Sequence, residues 1–106
     1  MAIKRVWHGW TTPENADLYE ETLHKYVAPS IAASVIKGYR GIELLRIADP
    51  IEDEVAFITM MTFNSLENLI DFQGEDYTRA HVPEITQKVL KRWDTHAMHY
   101  EVRDVQ

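Results

Sequence analysis

The sequence contains no cysteine, only four glycines and four prolines, and 11 basic residues against 17 acidic ones. The absence of cysteine excludes disulfides, thiolate metal ligands and cysteine nucleophiles. A net charge of −6 argues against a nucleic-acid partner, because phosphate binding needs a concentrated basic surface. No apolar run approaches the ~20 residues that span a bilayer, and "MAIKRVWHGW" lacks the apolar stretch of a signal peptide. We therefore expect a cytoplasmic protein with no nucleic-acid or membrane partner.

A length of 106 residues, without repeats, low-complexity segments or a Gly/Ser-rich linker, predicts a single domain over residues 1–106. A domain of this size buries roughly two thirds of its unfolded surface, which is enough for one core but not for a deep one. A ligand cavity would consume part of that core. Association with a second subunit would compensate for this loss.

Strands and helices alternate along the chain in a recognisable order. Segments rich in β-branched and aromatic residues predict strands at residues 3–10, 39–49, 54–63 and 95–104. The first helix is predicted to begin at Thr12 and Pro13 and to be interrupted at Pro29, since proline lacks the N–H that a helix needs.

Capping signals predict two further helices. Asn64 or Ser65 is expected to cap one of them, with Glu67 at capping-box spacing from Asn64, and Gly74 ends it. Pro83 is expected to open the last helix, which would continue through Trp93.

The resulting order is β-α-β-β-α-β, which predicts an α+β ferredoxin-like fold with a four-stranded antiparallel sheet. The segments "VAFITMMTF" and "THAMHY" carry apolar residues on both faces, whereas a sheet with one wet face alternates cleanly. No predicted helix remains to cover the second face. We therefore expect a homodimer that forms through the sheet faces.

Five histidines raise the question of a metal site. His96 and His99 are three apart on a predicted strand, so they point to opposite faces and cannot share an ion. Glu21 and His24 form one Glu-x-x-His pair, but di-iron bundles need two such pairs and two more glutamates. Serine-hydrolase, Rossmann and P-loop signatures are missing. We predict no metal site.

The segments "WHGWTTPENADLYEE", "TFNSLENLIDFQGEDYTRAHVPEI" and "HYEV" resemble the antibiotic biosynthesis monooxygenase family. Members of this family are small ferredoxin-like proteins that dimerise through their sheets into an α+β barrel. Cofactor-free members oxidise electron-rich aromatic substrates such as quinols and anthrones with molecular oxygen, in a pocket between the sheet and the helices. The resemblance thus implies a monooxygenase with no cofactor and a small aromatic ligand.

The resemblance also suggests which residues form the site. His81, two positions before Pro83, is the candidate catalytic base. The candidate substrate-binding residues are the aromatic residues Trp7, Phe63, Phe72 and Tyr77. A purely structural role for His81, in the bend between two helices, is the alternative.

A related branch of the family binds and degrades haem. It uses an asparagine on the first strand, a tryptophan late in the second helix and a histidine ligand after it, and these positions fall near Trp7, Phe72 and His81. Only the histidine is kept here, one residue closer to the position of Phe72 than expected. A haem-binding or haem-degrading protein and a non-catalytic dimer that binds a small ligand are therefore the alternative functions.

Overall fold

A computed structural model describes residues 1–51 and 53–106, so Glu52, between the second and third predicted strands, lies outside the described residues. All strands pair antiparallel in one sheet, in the order β2-β3-β1, with β4 and β5 both on the far edge of β1. The strands are β1 Ile3–Thr11, β2 Tyr39–Arg46, β3 Val55–Phe63, β4 Arg92–Trp93 and β5 Met98–Glu101. This arrangement confirms the predicted α+β ferredoxin-like fold. The predicted fourth strand, residues 95–104, is observed as the shorter β5, and β4 lies before it, within the predicted last helix.

The first helical segment does not end at Pro29. A 3-10 turn, Pro13–Asn15, leads into α1, Ala16–Thr22, then a π-helical turn, Leu23–Val27, and then α2, Ala28–Ala33. The N–H of Ala28 donates to the carbonyl of Leu23, five residues back. This wider turn lets Pro29 lie in the first turn of α2, where a missing N–H is tolerated. Single π turns inside helices are frequent at functional sites.

Helix α3, Leu66–Gln73, is capped by Ser65 rather than by Asn64. The Ser65 hydroxyl accepts from the backbone N–H of Asn68 at 3.1 Å and also donates to the Asn68 side chain at 2.9 Å. Asn68 therefore completes the cap, and the predicted pairing of Asn64 with Glu67 was wrong. Gly74 ends the helix with a φ of 89°, a left-handed conformation that favours glycine.

The predicted long helix from Pro83 to Trp93 is wrong. Only α4, Glu84–Gln87, is helical. Beyond it, the N–H groups of Lys91 and Asp94 donate to the carbonyls of Trp10 and His8 on β1. Because the free edge of β1 offers these acceptors, the chain leaves the helix early and Trp93 joins β4.

The break between β4 and β5 has a tertiary cause. The N–H of Ala80 donates to Thr95 O at 2.9 Å, and the N–H of Ala97 donates to Thr78 O at 2.7 Å. Residues 95–97 thus pair with residues 78–80 before the chain returns to β1. This pairing anchors the connection between α3 and α4 against the edge of the sheet.

The two faces of the sheet differ in how they are covered. On the helix face, buried side chains from the strands pack against α1 and α3 around Tyr19 and Leu69, which are 1% and 0% exposed. On the opposite face, which we call the outer face, Val6 is paired with Met60 and Met98, and no described element covers them. Met98 is 57% exposed. None of the described helices is long and apolar enough to cross a bilayer.

Candidate functional site

A cavity of about 410 Å³ lies between the helix face of the sheet and the helical elements. Its sheet side is formed by β1, β2 and β3, where Arg5 pairs with Met61 and Met61 pairs with Ile42. Tyr26 and Val27 of the π turn line the opposite side. The volume falls in the range of small-molecule sites, ~300 to 1,000 Å³.

Three of the five predicted site residues line this one cavity: Trp7 from β1, Phe72 from α3 and His81 from the segment before α4. They are far apart in sequence and meet because α3 packs over β3 and the segment after it packs against β1. The Trp7 indole N–H donates to the carbonyl of Asp94 at 2.7 Å, which fixes the ring. With its only donor engaged, Trp7 presents an apolar surface to the cavity.

Phe72 and Phe63 take different positions although their rings are neighbours, with centroids 6.0 Å apart. Phe72 is 37% exposed at the end of α3, where it contributes to the cavity wall. Phe63 is 0% exposed at the end of β3, in a buried cluster with Leu69, and does not line the cavity. Instead, its ring packs against the ring of Phe72 from within the core.

Tyr77 also lies outside the cavity lining. Its ring packs edge-on against His99, with the centroids 5.2 Å apart. Its backbone carbonyl accepts a hydrogen bond from Arg5 at 2.5 Å. Tyr77 therefore contacts the site only through Arg5, a lining residue that was not predicted from the sequence.

Arg5 is this missed residue. Its side chain lines the cavity and is buried, with the residue only 5% exposed. The guanidinium also donates to the carbonyl of Arg79 at 3.2 Å and lies 2.8 Å from Nε2 of His99. Burial lowers the pKa of Arg5, but arginine remains charged in proteins. The alternation of β1 could have revealed it, since Arg5 shares a face with the apolar residues Ile3 and Trp7.

His99 on β5 is paired with Arg5 across the strands. Burial, assisted by the charge of Arg5, lowers the pKa of His99 to about 4. The imidazole is therefore neutral near neutral pH, and Nε2 can accept from the guanidinium. Among the described residues no group of three His, Cys, Asp or Glu side chains could hold a metal ion.

Tyr19 and Tyr26 bring phenolic side chains to the helical side of the cavity. Tyr19 is almost fully buried, its ring packs edge-on to Phe57 with a centroid distance of 4.8 Å, and burial raises its pKa. Tyr26, on the π turn, is 60% exposed. The cavity can thus hold a flat apolar ring between aromatic walls, with a histidine, two tyrosines and a buried cation as the ionisable groups of its lining.

The fold is shared with solved structures. A candidate antibiotic biosynthesis monooxygenase from Bacillus cereus is 9% identical, with a TM-score of 0.71 over 100% of this chain and 95% of that protein. An ethyl tert-butyl ether d (EthD) family protein from Bacillus halodurans is 19% identical, with a TM-score of 0.58 over 96% of this chain and 99% of that protein. No sequence-family model and no curated protein matches the chain. The likeness confirms the ferredoxin-like fold of antibiotic biosynthesis monooxygenases.

Proposed function

We propose that this protein is a cofactor-independent monooxygenase that oxidises a small quinol or phenol with molecular oxygen. The observation that carries the proposal is the meeting of His81, Trp7 and Phe72 in one cavity between sheet and helices. The fold likeness to a candidate antibiotic biosynthesis monooxygenase supports this reaction class. Fold alone does not determine chemistry, so the residues of the cavity must supply it.

His81 has the role of a general base. It takes the proton of the substrate hydroxyl, and the phenolate that results is electron-rich enough to reduce oxygen without flavin or metal. For a phenol with a free ring position, one oxygen atom enters the ring, the other leaves as water, and a quinone remains. The substrate supplies all the electrons. Trp7 and Phe72 hold the ring between their apolar surfaces.

The residues of the cavity do not fit haem degradation. The asparagine of the haem-degrading branch falls near Trp7, whose only donor is already bound to the carbonyl of Asp94. Phe72 stands near the position of the tryptophan and brings no polar atom. His81 alone matches that pattern. A non-catalytic small-ligand-binding protein remains the second candidate, favoured by the apolar character of the same walls.

We also propose that a second copy of the chain covers the outer face. This face places Val6, Met60 and Met98 side by side across three strands. Tyr100, 53% exposed, extends the apolar surface along β5. Contiguous apolar surfaces of this kind usually mark an interface. The cavity opens on the other side of the sheet, so dimerisation would leave it accessible.

The proposed reaction is tested by oxygen uptake with a panel of quinols and phenols, using wild type, His81→Ala and His81→Gln. We expect both variants to lose about 100-fold or more in rate, the usual contribution of a general base. His24→Gln is the matched control, because His24 is an exposed histidine outside this cavity. Unchanged oxygen uptake in both His81 variants would refute the role of His81 as general base. Binding of the phenols without any uptake by wild type would favour the non-catalytic function, and a Soret band on haem titration would favour haem.

A further inference from the structure

Arg5 is a buried cation without a carboxylate partner in the described part of the chain. It makes no ion pair there, although the chain has 17 acidic residues. Buried arginines are rare unless they are paired, because removing a charge from water is costly. None of the described residues that line the cavity is Asp or Glu. Arg5 therefore brings a positive charge to the wall of a cavity whose described lining carries no counter-charge.

The partners of Arg5 leave part of its hydrogen-bonding capacity unused. Nη1 donates to Tyr77 O and meets His99 Nε2, and Nη2 donates to Arg79 O. A guanidinium carries five N–H donors, so these contacts leave two donors, one of them on Nε, without an acceptor among the described residues. All three partners are neutral acceptors near neutral pH. They orient the guanidinium without neutralising it.

The position of Arg5 beside the aromatic wall of the cavity indicates which kind of ligand could be its ionic partner. Arg5 and Trp7 lie two positions apart on the same face of β1 and both line the cavity, so a ring that packs on Trp7 has Arg5 as a neighbour. Arginine binds oxyanions more strongly than neutral oxygens, and the low dielectric of a buried site increases this preference. An aromatic ring that carries a negatively charged oxygen would pack on Trp7 and also form an ion pair with Arg5.

We propose that Arg5 binds the anionic oxygen of an aromatic ligand, so that the cavity selects an aromatic oxyanion over a neutral ring of the same shape. This inference rests on the proposed function for the aromatic class of the ligand. It assigns Arg5 a substrate-binding role that is separate from proton removal by His81. The oxyanion is either a phenolate or a ring carboxylate, and the two can be distinguished by experiment.

The test is calorimetric titration with two matched ligand pairs: para-nitrophenolate against para-nitroanisole, and para-nitrobenzoate against para-nitrobenzamide. The nitro group withdraws electrons, so these rings do not reduce oxygen and binding is measured without turnover. We expect wild type to bind an anion about tenfold more tightly than its neutral partner. Discrimination only in the first pair identifies a phenolate, and discrimination only in the second identifies a carboxylate. Equal affinity within both pairs would overturn the proposal.

Arg5→Gln should abolish the preference for the anion, and Arg5→Lys should retain part of it. Arg40→Gln is the matched control, because Arg40 is exposed and outside the cavity lining, and it removes the same charge. A preference that survives in Arg5→Gln would overturn the role of Arg5.

A second measurement on wild type covers the case in which Arg5→Gln does not fold. At the pH where free para-nitrophenol is half ionised, binding should increase the phenolate absorbance. The other ionisable groups at the cavity are Tyr19, Tyr26 and His81, with His99 and Tyr77 behind Arg5. A decrease in absorbance would refute phenolate recognition. If the protein prefers the anion but takes up no oxygen with quinols and phenols, the proposed monooxygenase reaction is refuted and the anion site is not. If it takes up oxygen but shows no preference for the anion, only the role of Arg5 is refuted.

Discussion

His99 gives the protein a pH dependence of stability whose sign follows from its contact with Arg5. In the fold its pKa is lowered from 6.5 to about 4, first by burial and then by the charge of the guanidinium. The unfolded chain therefore takes up a proton near pH 6.5, and the folded protein does so only near pH 4. The stabilisation is fully present above the unfolded pKa. It is lost as the pH falls through this window, and the loss is complete at about pH 4.

The size of this effect follows from the same two values. A pKa difference between 6.5 and about 4 corresponds to roughly 3 kcal/mol, at ~1.36 kcal/mol per pH unit. The ring is only partly buried, and solvent screens part of its interaction with Arg5. We therefore expect the free energy of unfolding to decrease by about 1 to 2 kcal/mol between about pH 7 and about pH 5.

Urea unfolding of wild type and His99→Gln across this pH range measures the effect. Glutamine can still accept from Arg5 but does not titrate, so the variant should lose the His99 contribution to the pH slope. His24→Gln is the control, since it makes the same substitution at an exposed histidine of the π turn that does not contact Arg5. Carboxylates contribute little above about pH 5, which makes the difference between the curves specific. Identical slopes in wild type and His99→Gln would refute the reasoning.

Three further results are expected. Trp7→Ala should weaken para-nitrophenol binding about tenfold in calorimetry with less than ~3 kcal/mol lost in denaturant unfolding; a larger loss with unchanged affinity would make Trp7 a core residue. Light scattering should give wild type twice the chain mass of 12.4 kDa and Met60→Lys a single chain mass, and a monomeric wild type would contradict the interface. Gly38→Ala should lose more than ~1 kcal/mol, because φ is 78° and the new Cβ would collide with the Asn68 side chain; a wild-type urea midpoint would disprove this contact.

Local rules in the sequence were sufficient for most of the fold. Alternation along the strands, the proline at the start of the first helix and the glycine after α3 each act within a few residues, so the order of elements could be predicted. The second apolar face of the sheet was also visible, because a strand with two apolar faces needs cover on both. The alternation of β1 even contained the signal for Arg5, an arginine in line with Ile3 and Trp7.

Contacts between distant segments decided the rest. The last helix is short because the edge of β1 offers carbonyls to Lys91 and Asp94, and no local pattern reports where an acceptor lies in space. The π turn kept the first helix continuous past Pro29, against the local rule. Trp7, Phe72 and His81 share a cavity only because α3 packs over β3 and the segment after it packs against β1, while Phe63, equally aromatic, is buried in the core. The sequence determined which side chains are available to a site, and the packing of the helices on the sheet determined which of them face the same space.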